Sequence, residues 1–133
     1  MPTIIYNSKT MKKFYGGHGR VFGEIFFLDR KGRYHRVGGP SYVRYDPFTR
    51  AILVAEWNRH GVSHRVGGPA VICASLKEWW YKGKRHRVDG PATEWDNGKR
   101  SWFIMGVEYS TEGEWFSNLN KEEQVNYLFK IKE

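Results

Sequence analysis

The chain has 133 residues, enough for one domain that buries a core without covalent staples. Lys and Arg number 22 against 14 Asp and Glu, and the formal charge of +8 suits a negatively charged partner: nucleic acid, an anionic membrane surface or an acidic protein. The single cysteine, Cys73, excludes an internal disulfide; no apolar run reaches the ~18 residues of a membrane span and residues 1–3 open no signal peptide, so a soluble cytoplasmic protein is expected.

In chain order, residues 4–6 read as a short first strand and residues 9–13 as a polar turn before Phe14 and Tyr15. Residues 18–24, His-Gly-Arg-Val-Phe-Gly-Glu, read as a degenerate first copy of a repeat whose full form follows. Residues 24–28 form a strand by their Ile-Phe-Phe content, residues 29–32 a turn by their Asp and Gly, and residues 33–37 the returning strand. The same hairpin is expected at 53–57, 58–61 and 62–66, and again at 78–81, 82–83 and 84–88. Each returning strand ends in one motif: His35-Arg36-Val37-Gly38-Gly39-Pro40, His64-Arg65-Val66-Gly67-Gly68-Pro69 and His86-Arg87-Val88-Asp89-Gly90-Pro91. The copies begin 29 and 22 residues apart, a spacing that marks a repeat architecture. Gly39, Gly68 and Gly90 supply backbone freedom and Pro40, Pro69 and Pro91 donate no hydrogen bond, so each pair breaks its strand. New strands at 41–45, 70–74 and 92–95 run into turns at 46–49, 75–77 and 96–99, and the difference in turn length sets the uneven spacing.

A tryptophan precedes the glycine of the hairpin turn by four residues at Trp57, Trp79 and Trp102. Stacked repeats would place the three in register, either as a structural ladder that buries one face of the sheet or as an aromatic platform for bases or sugars. Residues 109–114 align with the third motif but keep only Gly113, as a closing repeat with no further neighbour would. Beyond them the period changes. Asn120 with an acid three residues on offers an N-cap, and a helix over 121–132 is expected to dock Val125, Leu128 and Phe129 on an end of the sheet. The expected organisation is therefore a mainly β, antiparallel hairpin-repeat meander over 1–117 with one C-terminal capping helix over 118–133.

The pattern Trp-x-x-x-Gly-x-x-His-Arg-Val-x-Gly-Pro resembles MORN-type repeats, and more closely a His-Arg-x-Asp-Gly-Pro-Ala variant of uncharacterised bacteriophage and giant-virus proteins. The likeness runs over residues 23–113, with the full variant core at His86 to Ala92 and Gly38 and Gly67 standing where the variant has Asp. MORN repeats build elongated single-layer sheets that act as scaffolds or binding surfaces. The resemblance thus implies a non-enzymatic viral accessory factor that binds a host protein from the host cytoplasm, and it names no partner.

The residues themselves favour the same class. Metal binding needs converging ligands, whereas repeat equivalents lie a repeat apart, and no Ser, Cys or Asp stands by motif beside a histidine; a metal-independent nuclease using His and Arg is the enzymatic alternative. No cofactor is expected. The candidate basic stripe comprises Arg36, Arg65, Arg87, His35, His64, His86, Lys84 and Arg85. Two readings of it stand: His packs on the neighbouring turn while Arg bonds carbonyls or an acid such as Asp89, or the arginines line up for an acidic protein surface or a phosphate backbone. Binding to a host protein and binding to nucleic acid are the two functions carried forward.

Overall fold

The computed structural model describes residues 5–15 and 18–131, with side chains from 22 to 130. The chain forms a long hairpin, β1 (Ile5–Tyr15) and β2 (His18–Leu28), then β3 (Tyr42–Tyr45), β4 (Ile52–Glu56), β5 (Asn58–Arg59), β6 (Val62–Ser63), β7 (Val71–Cys73), β8 (Leu76–Glu78), β9 (Trp80–Tyr81), β10 (Lys84–Arg85), β11 (Thr93–Trp95), β12 (Arg100–Ile104) and β13 (Val107–Tyr109). Two helices close it, α1 (Glu112–Ser117) and α2 (Lys121–Ile131). Nine strands make one antiparallel sheet in the order β1-β2-β3-β4-β7-β8-β11-β12-β13, while β5-β6 and β9-β10 are two-stranded ribbons outside it. The hairpin meander with a C-terminal helix is thus the fold. No helix among the described residues is long and apolar enough to cross a membrane.

The ribbons extend the sheet strands past the row of tryptophans and, like the β12-β13 hairpin, turn on two residues. His60-Gly61, Lys82-Gly83 and Met105-Gly106 have φ of 47° and 80°, 48° and 78°, and 46° and 83°. Two successive left-handed residues match the twist of the flanking strands, and glycine takes the second place without Cβ strain. The expected turn at 58–61 shrinks accordingly to residues 60–61, which leaves Asn58 and Arg59 in β5. The returning strands expected at 62–66 and 84–88 are also shorter, because past Ser63 and Arg85 the chain bonds to the next unit: Arg65 N–H donates to Trp80 O at 3.0 Å. The turn expected at 75–77 loses Leu76 and Lys77 to β8, and Cys73 sits half-buried in β7 with Sγ 3.4 Å from Ser75 Oγ.

Three expectations near the ends are corrected. Residues 9–13 are no turn: β1 pairs with β2 from Ile5 opposite Leu28 to Tyr15 opposite His18. That polar stretch holds no Gly, Pro, Asn or Asp, so nothing stops it pairing, and residues 18–24 lie in the ladder from its last pair, Tyr15 with His18, rather than in a repeat loop. Residue 4, expected in the first strand, and residue 132, expected in the helix, lie outside the described residues. In the closing copy expected at 109–114, Tyr109 ends β13 and residues 112–114 belong to α1, because Thr111 Oγ1 accepts from Glu114 N–H at 3.1 Å and starts a helix through Gly113.

α2 begins where Asn120 and Glu123 cap each other, Oδ1 accepting from Glu123 N–H at 2.8 Å and Oε1 from Asn120 N–H at 2.9 Å. It docks by a different face from the one expected. Tyr127 is buried against Trp115, and with Trp102 and Leu119 they form the cluster on which Val88, Ile104, Tyr109 and Phe116 pack. Val125, Leu128 and Phe129 are 50%, 42% and 69% exposed. The helix is anchored through polar contacts on that inner side, Tyr127 Oη donating to Glu112 and Gln124 Nε2 to Phe116 O, which turns the aliphatic side outward.

Candidate functional site

The repeat motif solves one packing problem three times. Along one row of the sheet the residues run Phe27, Ser41, Trp57, Ala70, Trp79, Ala92 and Trp102, with Phe27, Trp57 and Trp79 N–H donating to Ser41, Ala70 and Ala92 O at 2.7–2.8 Å. Large rings alternate with side chains that are wholly buried at Ser41, Ala70 and Ala92, so each ring has room for a cover. The covers are the motif arginines: Arg36 Cζ lies 4.1 Å from the Phe27 centroid, Arg65 3.9 Å from Trp57 and Arg87 3.7 Å from Trp79. Each also donates Nη1–H to the carbonyl of its own loop's proline, Pro40, Pro69 and Pro91, at 3.2, 2.9 and 3.0 Å. The middle glycine is what lets the guanidinium lie down. A Cβ on Gly39, Gly68 or Gly90 would stand 2.8, 2.8 or 2.7 Å from the arginine Cζ. At Trp102 the cover is Trp115 from α1, 4.7 Å between centroids, with its indole N–H donating to Arg87 O at 3.1 Å.

The histidines join one unit to the next. His35, His64 and His86 each accept through Nδ1 the N–H of the first residue of the following turn, His60, Lys82 and Met105, all at 2.9 Å. That geometry needs Nδ1 unprotonated, and the surroundings favour it. Burial pushes His35 below its ordinary value, helped by His60, Arg59 and Arg33 against the pull of Asp29; burial with Arg59 and Lys82 lowers His64; burial lowers His86 against Glu123. The first joint carries an extra cluster absent from the sequence reading. His60 stacks on His35 at 3.8 Å and its Nδ1 lies 2.7 Å from Asp29 Oδ2, which also accepts from Arg33 Nε at 2.8 Å. Burial opposes ionisation of Asp29, but the hydrogen bonds from His60, Arg33 and the Lys31 N–H outweigh it and hold the carboxyl well below the usual carboxylate range.

The candidate stripe therefore divides. Arg36, Arg65 and Arg87 share one face of the sheet with His35, His64 and His86. Arg85 lies on the opposite face over Trp80 and Phe103, its Nε bonded to Glu78 at 2.9 Å, and exposed Lys84 borders the Gly106 turn. Of the three motif arginines, Arg87 alone is neutralised among the described residues: Asp89 takes its Nε at 2.8 Å, Glu94 its Nη1 at 3.1 Å, and Lys130 of α2 closes over Asp89 at 2.8 Å. In the other copies Gly38 and Gly67 replace Asp89, Val43 and Ile72 replace Glu94, and no described carboxylate pairs with Arg36 or Arg65. Between these two arginines lies a cleft of about 270 Å³ lined by Arg36, Trp57, Arg59, His64, Arg65 and Val66. Arg59, exposed in β5, is the member sequence reasoning missed; the signal was its alternation with Trp57, which sets both on one face. No group of three or more His, Cys, Asp or Glu among the described residues could hold a metal ion. No family model, no characterised protein and no solved structure matches the chain.

Proposed function

We propose that this chain is a non-enzymatic binding protein that engages an acidic protein surface through the arginine-bearing face of its repeats. One observation carries the choice over nucleic acid. The rings that would stack on bases are covered: guanidinium groups lie 4.1, 3.9 and 3.7 Å over Phe27, Trp57 and Trp79. Single-stranded nucleic acid is held by exposed aromatic platforms together with charge, and here the charge is available while those rings are not. The repeat motif supports the same class, since MORN-type arrays serve as binding scaffolds, and it supplies the idea of a viral accessory factor acting on a host protein. The test is a pair of anisotropy titrations with a labelled glutamate-rich peptide and a single-stranded oligonucleotide of equal charge. Tighter binding of the peptide at ~150 mM salt, where screening confines charge effects to about 8 Å, is the expected result. Preference for the oligonucleotide, with a log-linear fall as salt rises, would reverse the assignment.

A further inference from the structure

We infer that the cleft between the first two motif loops is a receptor for a carboxylate side chain of an acidic peptide, held by the unpaired edges of Arg36 and Arg65 with Arg59. The inference rests on the acidic-protein reading above and names where on the face the partner's acid sits. The third copy displays the occupied form of the same site. There the guanidinium lies on Trp79 and bonds Pro91 O, as Arg65 does on Trp57 and Pro69 O, and two carboxylates of the chain itself take further donors, Asp89 the Nε–H and Glu94 an Nη1–H. Copies one and two keep the ring, the arginine and the proline carbonyl but replace both acids, at Gly38 and Val43 and at Gly67 and Ile72. A Cβ built on Gly38 or Gly67 meets nothing within 4 Å, so the tips of the first two loops are open.

The chemistry of the rim narrows the ligand. A guanidinium already fixed by stacking and by one hydrogen bond presents a planar donor edge that matches a carboxylate, and less side-chain entropy is lost on binding than with a free arginine. Val37 and Val66 stand at the loop tips 60% and 77% exposed, whereas their equivalent Val88 packs on the Trp102 and Trp115 cluster. An acid flanked by apolar side chains thus fits both the donors and the rim. Arg59 adds a third positive charge that the third copy lacks, since Tyr81 stands at its place.

The experiment follows the arginine Nε–H resonances of the 15N-labelled full chain during titration with a blocked Gly-Glu-Leu-Glu-Leu-Gly peptide, with a single-stranded oligonucleotide as the second arm. The Arg36 and Arg65 signals are expected to move and the Arg87 signal to stay, because Asp89 already holds it. Arg59→Gln, an exposed change outside the stacked row, is expected to weaken the peptide about tenfold, equivalent to about 1.4 kcal/mol. Peptide binding that leaves the Arg36 and Arg65 signals unmoved overturns the cleft while leaving the acidic-protein reading in place. Absence of peptide binding, or movement of these signals with the oligonucleotide alone, overturns both.

Discussion

Gly68→Ala tests the repeat joint at its narrowest point. Gly68 has no left-handed φ, so alanine strains no backbone; the added methyl instead stands 2.8 Å from Arg65 Cζ and 2.9 Å from Nη1. The guanidinium must lift, losing its place over Trp57 and its bond to Pro69 O. A stacked cation is worth about 0.5 to 2 kcal/mol and a hydrogen bond from a charged donor about 1.5 kcal/mol, against which replacing glycine returns about 0.5 kcal/mol through the unfolded chain. The net loss is about 2 kcal/mol. In an Arg65→Ala background nothing remains to displace, and the same Gly68→Ala change should be neutral or stabilise by about 0.5 kcal/mol. Urea unfolding of the four proteins gives the coupling directly, with about 2 kcal/mol expected. Equal losses in both backgrounds would mean that the guanidinium does not rest on Gly68.

Acidification should destabilise the fold. His35, His64 and His86 have folded values below the ordinary 6.5, so the unfolded chain binds more protons; their stabilisation is complete above about pH 7 and is lost as pH falls through 6.5 toward the folded values. Urea midpoints at pH 7.5 and 5.5 should differ and His64→Gln should flatten the slope; a pH-independent midpoint would exclude the Nδ1 acceptor role. Trp102→Ala should cost about 3 to 5 kcal/mol in urea unfolding and Trp57→Ala less, about 2 to 3 kcal/mol, because Trp102 lies in the closing cluster while Trp57 keeps partial exposure. Asn120→Ala should cost about 1 kcal/mol through the lost cap and fray α2, read as a drop in helical ellipticity with the sheet signal kept.

What the sequence disclosed depended on how local the determinant was. The two-residue turn at Lys82-Gly83, the strands after each proline and α2 with its Asn120 cap follow from residues within a turn of one another, and these were legible. β1 was not, since its own Lys-rich stretch looks like a loop even though its partner β2 follows at once, His18 facing Tyr15. α1 was hidden by alignment: Thr111 and Glu114 make an N-terminal cap signal, but matching Gly113 to the repeat glycine read the segment as a loop. The docking face of α2 depended on Trp115, which has to be known to cover Trp102 before Tyr127 can be recognised as the buried residue. At the candidate site the arginines were visible from repetition alone. Their difference was visible too, in Gly38 and Gly67 against Asp89, but its meaning required the bond from Arg87 to Glu94, at whose repeat position the other copies carry Val43 and Ile72.

We propose that an acidic protein docks on the arginine face of the first two repeats. Capture on the immobilised chain from a native extract, with and without nuclease and in parallel with Arg59→Gln, tests it most directly. The expected catch is an acidic protein that is retained after nuclease treatment and is depleted on Arg59→Gln. Retention of nucleic acid alone, or a bound fraction that nuclease empties, would contradict it.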